Sequence, residues 1–279
     1  MKSPEQLKGA IRNIAKKKDL QAAAVLQMYL FERIIERLSI SHYKSRFILK
    51  GGLLIASLIG VDQRTTMDMD TTIIGLTVNE GTMTQIISEI LNIDVDDGII
   101  FALTELKPIR AEDQYENFCA TIIADYGKIH ATLKIDITTG DAITPKEISY
   151  RYPFMFESKS VSVMAYPLET ILAEKFETIL RRNVTSTRAR DLYDVYTLFR
   201  MKEDEIRIEV LREAILRTAN NRNSMETLNQ YKDVYKLMSE DSSQEHMWLA
   251  YQRSNSFAQE ISFQDVINTV LSIGDRVHL

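Results

Sequence analysis

The stretch FILKGGLLIASLIGVDQRTTMDMDTTII, residues 47–74, has a strand–turn–helix–strand pattern. Its first residues, Phe47–Leu49, are apolar and predict a short buried strand. A Gly-Gly turn follows at residues 51–52, and the apolar run Leu53–Ile59 predicts a helix. The stretch ends in a β-rich segment with Asp-Met-Asp at residues 68–70, where alternation places both carboxylates on one face of a strand.

Two carboxylates on one strand face repel each other and resist desolvation. Divalent cations relieve both effects best, so a metal site at Asp68 and Asp70 is one interpretation. A solvated strand edge is the other interpretation. The Gly51-Gly52 pair either forms an ordinary tight turn or lets a phosphate approach the backbone, because no Cβ stands in the way.

The bulk composition is that of an ordinary globular protein. Of 279 residues, 45% are apolar and 26% are charged, which suffices for a sizeable core in one large or two modest domains. The net charge of −5 excludes a global basic field, so nucleic-acid binding would need a local patch. The single cysteine, Cys119, excludes an internal disulfide and is interpreted as a buried structural thiol. With no apolar run long enough to span a membrane, we expect a cytoplasmic protein.

The N-terminal region predicts helices. A basic amphipathic helix over residues 3–18 either has a solvated charged surface or contacts a polyanion. Asp19 is interpreted as the N-cap of a second helix, Leu20–Leu38. Periodic apolar residues predict a further helix over Asn79–Asn92, and the acidic turn at residues 94–98 is expected to be solvated.

Three β-like segments follow: Ile99–Leu106, Phe118–Tyr126 and Ile129–Thr138, the last two joined by a hairpin. Asp136 stands near the end of the third segment, where a carboxylate in a core strand is costly unless it is paired. Either Lys134 or another base pairs with it, or Asp136 supplies the third carboxylate of a metal site.

Helical periodicity dominates the rest of the chain. We therefore place a boundary between an α/β lobe with N-terminal helices, residues 1–165, and a helical lobe, residues 166–279. Lys175 interrupts the apolar stripe of a helix predicted over Pro167–Arg181. Its ammonium must either reach solvent or contact a phosphate.

Four arginines surround the next helix start: Arg181, Arg182, Arg188 and Arg190. They offer a local basic rim for an RNA backbone on an otherwise acidic protein. Asp191 follows Arg188 by three residues, so it either pairs with that arginine within a helix or orients a group in an active site.

Together these motifs resemble those of two groups of nucleotidyltransferases. The strand, Gly-Gly turn and Asp-x-Asp are similar to the signature of the polymerase-beta-type enzymes. The whole series resembles the AbiEii nucleotidyltransferase family over residues 47–200, the toxins of AbiE-type toxin–antitoxin systems, which are related to the MenT toxins. The family often has serine where Thr66 stands. The motifs are Lys50-Gly51-Gly52, Arg64-Thr65-Thr66-Met67-Asp68-Met69-Asp70, Lys134-Ile135-Asp136, residues 166–175 (YPLETILAEK) and residues 187–194 (TRARDLYD).

The resemblance implies an α+β fold of two lobes, a polymerase-beta-like mixed-sheet lobe and a C-terminal helical lobe. It implies nucleotide transfer from an NTP, for the MenT relatives onto the 3′ end of tRNA. It also implies a separately encoded antitoxin and a role in abortive infection, a form of phage defence. No motif assigns a role to residues 201–279.

The resemblance also implies roles for individual residues. Asp68, Asp70 and Asp136 would hold one or two Mg²⁺ (or Mn²⁺) ions. Lys175 would neutralise phosphate charge, and Asp191 would orient a group in the active site. Nucleotide binding would fall to Lys50, Gly51, Gly52, Arg64 and Thr66. Two alternatives stay open, an enzyme of this fold that modifies a small molecule or a protein hydroxyl, and a non-catalytic binding module.

Overall fold

A computed structural model describes residues 3–109 and 117–279. These residues form two compact units. The sheet unit comprises the chain up to Gly140 together with Ile148–Ala165, and the helical unit comprises Asp141–Glu147 together with Tyr166–Leu279. The short segment Asp141–Glu147 was expected in the first lobe, but it docks on the helical unit. Its Thr144 N–H donates to Thr170 Oγ1 at 2.9 Å, and that hydroxyl donates to Thr144 O at 3.0 Å.

Within the described residues, a seven-stranded mixed sheet forms the centre of the sheet unit, in the order β3-β4-β5-β2-β1-β7-β6. Strand β2 runs antiparallel to β1 and parallel to β5. A sheet of this kind beside many helices confirms the expected α+β class. The strands are β1 (Phe47–Lys50), β2 (Met69–Ile73), β3 (Ile100–Pro108), β4 (Phe118–Tyr126), β5 (Ile129–Thr139), β6 (Ile148–Pro153) and β7 (Ser160–Ala165).

Four helices of the sheet unit are described: α1 (Pro4–Lys18), α2 (Ala22–Ile40), α3 (Gly51–Ile59) and α4 (Glu80–Leu91). The expectation that Asp19 caps α2 is wrong. Asp19 adopts a left-handed conformation with φ of 53°, and its N–H bonds to Ala15 O, so it closes α1 instead. Short polar side chains tolerate this conformation, which explains the misassignment.

The acidic turn at residues 94–98 is also less solvated than expected. Asp97 is buried and accepts two hydrogen bonds from the Arg37 guanidinium of α2, at 2.7 and 2.8 Å. Burial alone would raise the pKa of Asp97, but these bonds outweigh it and hold the pKa below its usual value. A buried carboxylate of this kind ties the turn to α2.

The helical unit packs its apolar stripes around a small aromatic cluster. Trp248 is fully buried, and its ring stacks at a tilt against Tyr251, which contacts Phe257 and Tyr193. The helices are α5 (Leu168–Arg182), α6 (Ala189–Met201), α7 (Ile208–Asn221), α8 (Met225–Asn229), α9 (Tyr231–Glu240), α10 (Ser242–Ser254) and α11 (Phe263–Arg276). Among the helices of the described residues, none combines the length and apolarity needed to cross a bilayer.

Candidate active site

Helix α3 begins directly at the end of β1. Gly51 is its first residue and has φ of +66°, a conformation that side-chain-bearing residues rarely adopt. A methyl group at residue 51 would also overlap the Asp70 carboxylate. Two independent constraints, the positive φ and the contact with Asp70, therefore require glycine at residue 51. The N–H groups at the start of α3 consequently lie beside Asp70, near the N-terminal end of β2. N–H groups at a helix start lack helical partners and suit an anion such as a phosphate.

Behind this turn, Gly52 packs on the loop that joins α3 to β2. A Cβ at residue 52 would lie 2.8 Å from Thr66 Oγ1 and 2.9 Å from Arg64 Nη2. Both Arg64 and Thr66 are only 2% exposed, and the Arg64 guanidinium donates to Thr65 O. Their local role is thus to shape the loop, and their assignment to nucleotide binding stays a prediction.

The Thr66 hydroxyl holds Asp68 in place. It donates a short hydrogen bond to Asp68 Oδ1 and lies 3.2 Å from Asp68 O. Asp68 immediately precedes β2, where no ladder partner fixes its backbone. A buried hydroxyl two residues upstream therefore sets the orientation of this carboxylate.

Four polar residues, one on each of four neighbouring strands, form a row across the sheet. We call these four residues and Asp68 together the carboxylate row. In register, Lys50 of β1 lies beside Asp70 of β2, Asp70 beside Asp136 of β5, and Asp136 beside Cys119 of β4. Side chains of directly paired residues project from the same face of a sheet. The sequence therefore brings Asp70 and Asp136 together, as expected from their positions on separate strands.

Cys119 was interpreted as a structural thiol, but its place is beside a candidate ligand of a metal ion. Burial and a hydrogen bond with Asp136 raise the pKa of Cys119 to about 11. The group is thus a protonated thiol that donates to the Asp136 carboxylate. The signal in the sequence was the register of the β4–β5 hairpin, which pairs Cys119 with Asp136.

The carboxylates of the row fit a hard divalent cation in donor chemistry and in register. Asp70 and Asp136 are direct neighbours, and Asp68 is two residues upstream on the same chain. Carboxylate oxygens are the donors that Mg²⁺ and Mn²⁺ prefer. Within the described ranges, however, no three His, Cys, Asp or Glu side chains already converge on one point. The metal-binding assignment of Asp68, Asp70 and Asp136 stays a prediction.

In the helical unit, Lys175 is paired with acids. Its Nζ lies 2.5 Å from Asp191 Oδ1 and 3.1 Å from Asp194 Oδ2. The lysine side chain is 20% exposed, whereas the two aspartate side chains are 5% and 0% exposed. The sequence analysis offered solvent or a phosphate as the partner of Lys175, but α6 supplies two carboxylates. Contact of Lys175 with a phosphate stays a prediction.

Asp194 is the residue that the sequence analysis missed in this cluster. It lies three residues after Asp191, so both carboxylates share one side of α6 and face α5. Asp191 was also expected as a possible partner of Arg188, but among the described residues its ion pair is with Lys175. A search for acids at i+3 from Asp191 would have found the second partner.

The four arginines assigned to RNA binding differ in their surroundings. Arg181 Nε donates a hydrogen bond to Glu177 Oε1 at 2.8 Å, and Arg222 Nη1 donates to Glu177 Oε2 at 2.7 Å. Arg181 therefore helps to compensate the charge of a buried carboxylate. Arg188 and Arg190 are exposed, and Arg182 is half-buried. Contact of these arginines with RNA stays a prediction.

Comparisons with known proteins place the chain in a family and relate its fold to solved structures. The family model "Nucleotidyl transferase AbiEii toxin, Type IV TA system" matches residues 33–269. No curated protein matches the sequence. The crystal structure of JHP933 from Helicobacter pylori is similar, with a TM-score of 0.52 and 18% identity over 91% of this chain and 90% of that chain.

A predicted nucleotidyltransferase from the same species gives a TM-score of 0.52 and 19% identity, over 93% of this chain and 95% of that chain. At these identities the likeness shows the fold. The family match covers most of the chain, and its range contains the carboxylate row and the Lys175 cluster, which comprises Lys175, Asp191 and Asp194. The chain belongs to the AbiEii family of nucleotidyltransferase toxins from toxin–antitoxin systems.

Proposed function

We propose that this enzyme transfers a nucleotide from an NTP to an RNA acceptor in a reaction that depends on a divalent metal. The observation that carries the proposal is the register of Asp70 with Asp136, beside the glycine that opens α3. By the family resemblance, the acceptor is the 3′ end of tRNA. The acceptor hydroxyl attacks the α-phosphorus, a new P–O bond forms, and pyrophosphate leaves as the α–β bond breaks.

The carboxylate row supplies the metal ligands. Asp68, Asp70 and Asp136 would hold Mg²⁺ or Mn²⁺, and such an ion supplies charge stabilisation at the transferring phosphoryl group. Thr66 orients Asp68, and the Cys119 thiol donates to Asp136. In this proposal Asp136 also accepts the proton of the attacking hydroxyl, because it lies next to Asp70 in the sheet.

The start of α3 binds the triphosphate in this proposal. Gly51 and Gly52 open the helix, where N–H groups without helical partners favour an anion, and Lys50 adds a positive charge one residue earlier. Lys175 contacts phosphate, and Asp191 fixes the ammonium.

The physiological setting follows from family membership. A toxin of this family implies an NTP substrate and an antitoxin encoded separately. We propose that the enzyme inhibits growth by modifying RNA when its antitoxin is absent, as part of abortive infection. Arg181, Arg182, Arg188 and Arg190 are proposed contacts to the RNA backbone.

The test is a transfer assay with four α-³²P-labelled NTPs. Each NTP is incubated with Mg²⁺ or Mn²⁺ and with total RNA, with isolated tRNA, or with the protein alone. We expect label at the RNA 3′ end, none with a chelator present, and none with Asp70→Asn. Label on the protein or on a small molecule instead would replace the RNA acceptor, and metal-independent transfer would contradict the role of the carboxylate row.

A further inference from the structure

Helix α1 concentrates positive charge on a protein whose net charge is −5. It precedes residue 33, where the match to the family model begins, so the family motifs do not account for it. The helix contains one acidic residue, Glu5. Its basic residues are Lys8, Arg12, Lys16, Lys17 and Lys18.

The apolar side of α1 is already covered. Leu7, Ile11 and Ala15 are buried at the contact with α2 within the sheet unit. The opposite surface carries exposed Arg12 and Lys16, and exposed Lys17 follows Lys16. Positions four residues apart rise about 6 Å along a helix, so Arg12 and Lys16 form a short line of charge, and Lys17 extends it at the C-terminal end.

The exposed cations of α1 have no carboxylate partner among the described residues. The ion pairs of those residues include Lys18 but not Arg12, Lys16 or Lys17. Basic residues in the last helical turn are favoured by the helix dipole, but this accounts for Lys16 and Lys17 and not for Arg12. The line of charge is therefore available to an external polyanion.

The C-terminal end of α1 is tied to the loop of the candidate active site. Lys18 Nζ lies 2.9 Å from Asp62 Oδ1, and this hydrogen bond lowers the pKa of Asp62. Asp62 belongs to the loop between α3 and β2, which also carries Thr66 and Asp68. The C-terminal end of α1 thus adjoins the loop that presents a proposed metal ligand.

We propose that the exposed face of α1, defined by Arg12, Lys16 and Lys17, is a docking surface for the phosphate backbone of the acceptor RNA. The inference rests on the proposed function, because it gives a binding surface to the acceptor named there. An anionic membrane fits less well. A basic amphipathic helix binds a bilayer by inserting its apolar side, and here that side is buried in the sheet unit.

The test compares three variants of the full-length protein. The first is Arg12→Gln/Lys16→Gln/Lys17→Gln. The second, Arg12→Lys/Lys16→Arg/Lys17→Arg, keeps the charge. The third removes the same charge from exposed residues of α7, α9 and α10, as Arg212→Gln/Lys236→Gln/Arg253→Gln. Melting curves establish that all three are folded.

Binding of fluorescein-labelled unfractionated tRNA is measured from 50 to 300 mM salt. We expect the first variant to bind at least ~10-fold more weakly and its slope of log K against log salt to fall by about 2, since each lost phosphate contact removes roughly 0.7–0.9. The charge-conserving variant and the distant variant should match the wild type. Equal weakening in the first and third variants would overturn the proposal, because net charge alone would then explain the effect.

Two further measurements separate this inference from the proposed function. If the wild type labels no RNA in the transfer assay, the proposed function has failed. If the wild type labels RNA and the first variant does so with unchanged KM for RNA, only the docking surface has failed. Binding of the wild type, but not the first variant, to phosphatidylserine vesicles with no difference on tRNA would assign α1 to a membrane surface and overturn the RNA proposal.

Discussion

The aspartates of the two motif clusters differ in the kind of group that donates hydrogen bonds to them. In the sheet unit, Asp68 and Asp136 accept hydrogen bonds from neutral donors, the Thr66 hydroxyl and the Cys119 thiol. In the helical unit, Asp191 and Asp194 are buried against the ammonium of Lys175. Neutral donors orient a carboxylate and leave its charge in place, whereas an ammonium compensates that charge.

This difference separates residues that sequence motifs present alike. A carboxylate whose charge is not compensated internally can be removed with little loss of stability, and its charge is available to a ligand. A carboxylate buried against a lysine contributes to the fold, whatever it does in catalysis. Substitution in the carboxylate row should therefore leave the stability of the protein nearly unchanged, whereas substitution of Lys175 should lower it.

The largest effect is expected from Asp70→Asn. Nucleotide transfer should fall by at least ~1,000-fold, beyond the ~100–1,000-fold typical of one lost electrostatic contact, because a metal ligand and the wall of the Gly51 turn change together. The melting temperature should stay close to that of the wild type, because the loss of repulsion with Asp136 offsets the loss of attraction to neighbouring Lys50. A label-transfer assay and a melting curve on the same preparation check both parts. Retained transfer would remove Asp70 from the site.

In contrast, Lys175→Met should lower the stability of the protein. It leaves Asp191 and Asp194 buried without their cation, so we expect a loss of about 3 kcal/mol of unfolding free energy. Transfer should also fall by more than ~100-fold if the lysine contacts phosphate.

A triple variant separates the two roles of Lys175. In Lys175→Met/Asp191→Asn/Asp194→Asn, the uncompensated charges are gone and stability should recover. Urea unfolding measures the recovery. Activity that recovers with stability would mean that Lys175 is structural, whereas a stable but inactive triple variant supports contact with phosphate.

Thr66 gives a smaller and more selective effect. Thr66→Val keeps the shape of the side chain but removes the hydroxyl that orients Asp68, so transfer should fall roughly 10-fold and the Mg²⁺ concentration for half-maximal rate should rise. Thr66→Ser keeps the hydroxyl and should resemble the wild type. A rise in KM for NTP at unchanged Mg²⁺ dependence would instead favour direct contact of Thr66 with the triphosphate.

Glu32 of α2 provides a third case, a buried acid with weak compensation. Its Oε1 accepts the Met155 N–H at 2.8 Å, and burial raises its pKa to about 8. Between about pH 4.5 and pH 8, the folded state therefore keeps a proton on Glu32 that the unfolded state has lost. Stability from this group is therefore full below about pH 4.5 and decreases as the pH rises to about 8, by up to ~1.4 kcal/mol per pH unit.

Glu32→Gln tests this dependence. The amide keeps the acceptor for Met155 and cannot ionise, so the variant should be more stable than the wild type at pH 8 and similar at pH 5. Unfolding free energies at the two pH values are the measurement. A constant difference between the proteins across this range would show that Glu32 does not titrate in it.

The sequence predicted the central fold well because its signals were local. The buried strand β1, the helix after Gly51 and the β4–β5 hairpin each follow from neighbouring residues. Strand β6, Ile148–Pro153, was not predicted, because its exposed, polar-rich face lacks a clear alternation. Its place at the sheet edge, paired with β7, is a tertiary property.

The candidate site was less predictable where contacts are distant in sequence. Alternation along single strands placed Asp70 and Asp136 on candidate faces, but their pairing depends on the parallel register of β2 with β5. Lys175 was placed on the right helix, yet its partners lie on α6, sixteen and nineteen residues later. A stripe on one helix cannot reveal the charges that the next helix brings to it.

The central claim is that the carboxylate row, and not the Lys175 cluster, holds the divalent metal. Electron paramagnetic resonance of free Mn²⁺ during a titration, with a non-hydrolysable NTP present, measures this without knowledge of the acceptor. We predict one or two Mn²⁺ ions bound by the wild type and by Asp191→Asn, and loss of that binding in Asp70→Asn/Asp136→Asn. Equal Mn²⁺ binding by the wild type and the double variant would contradict the account.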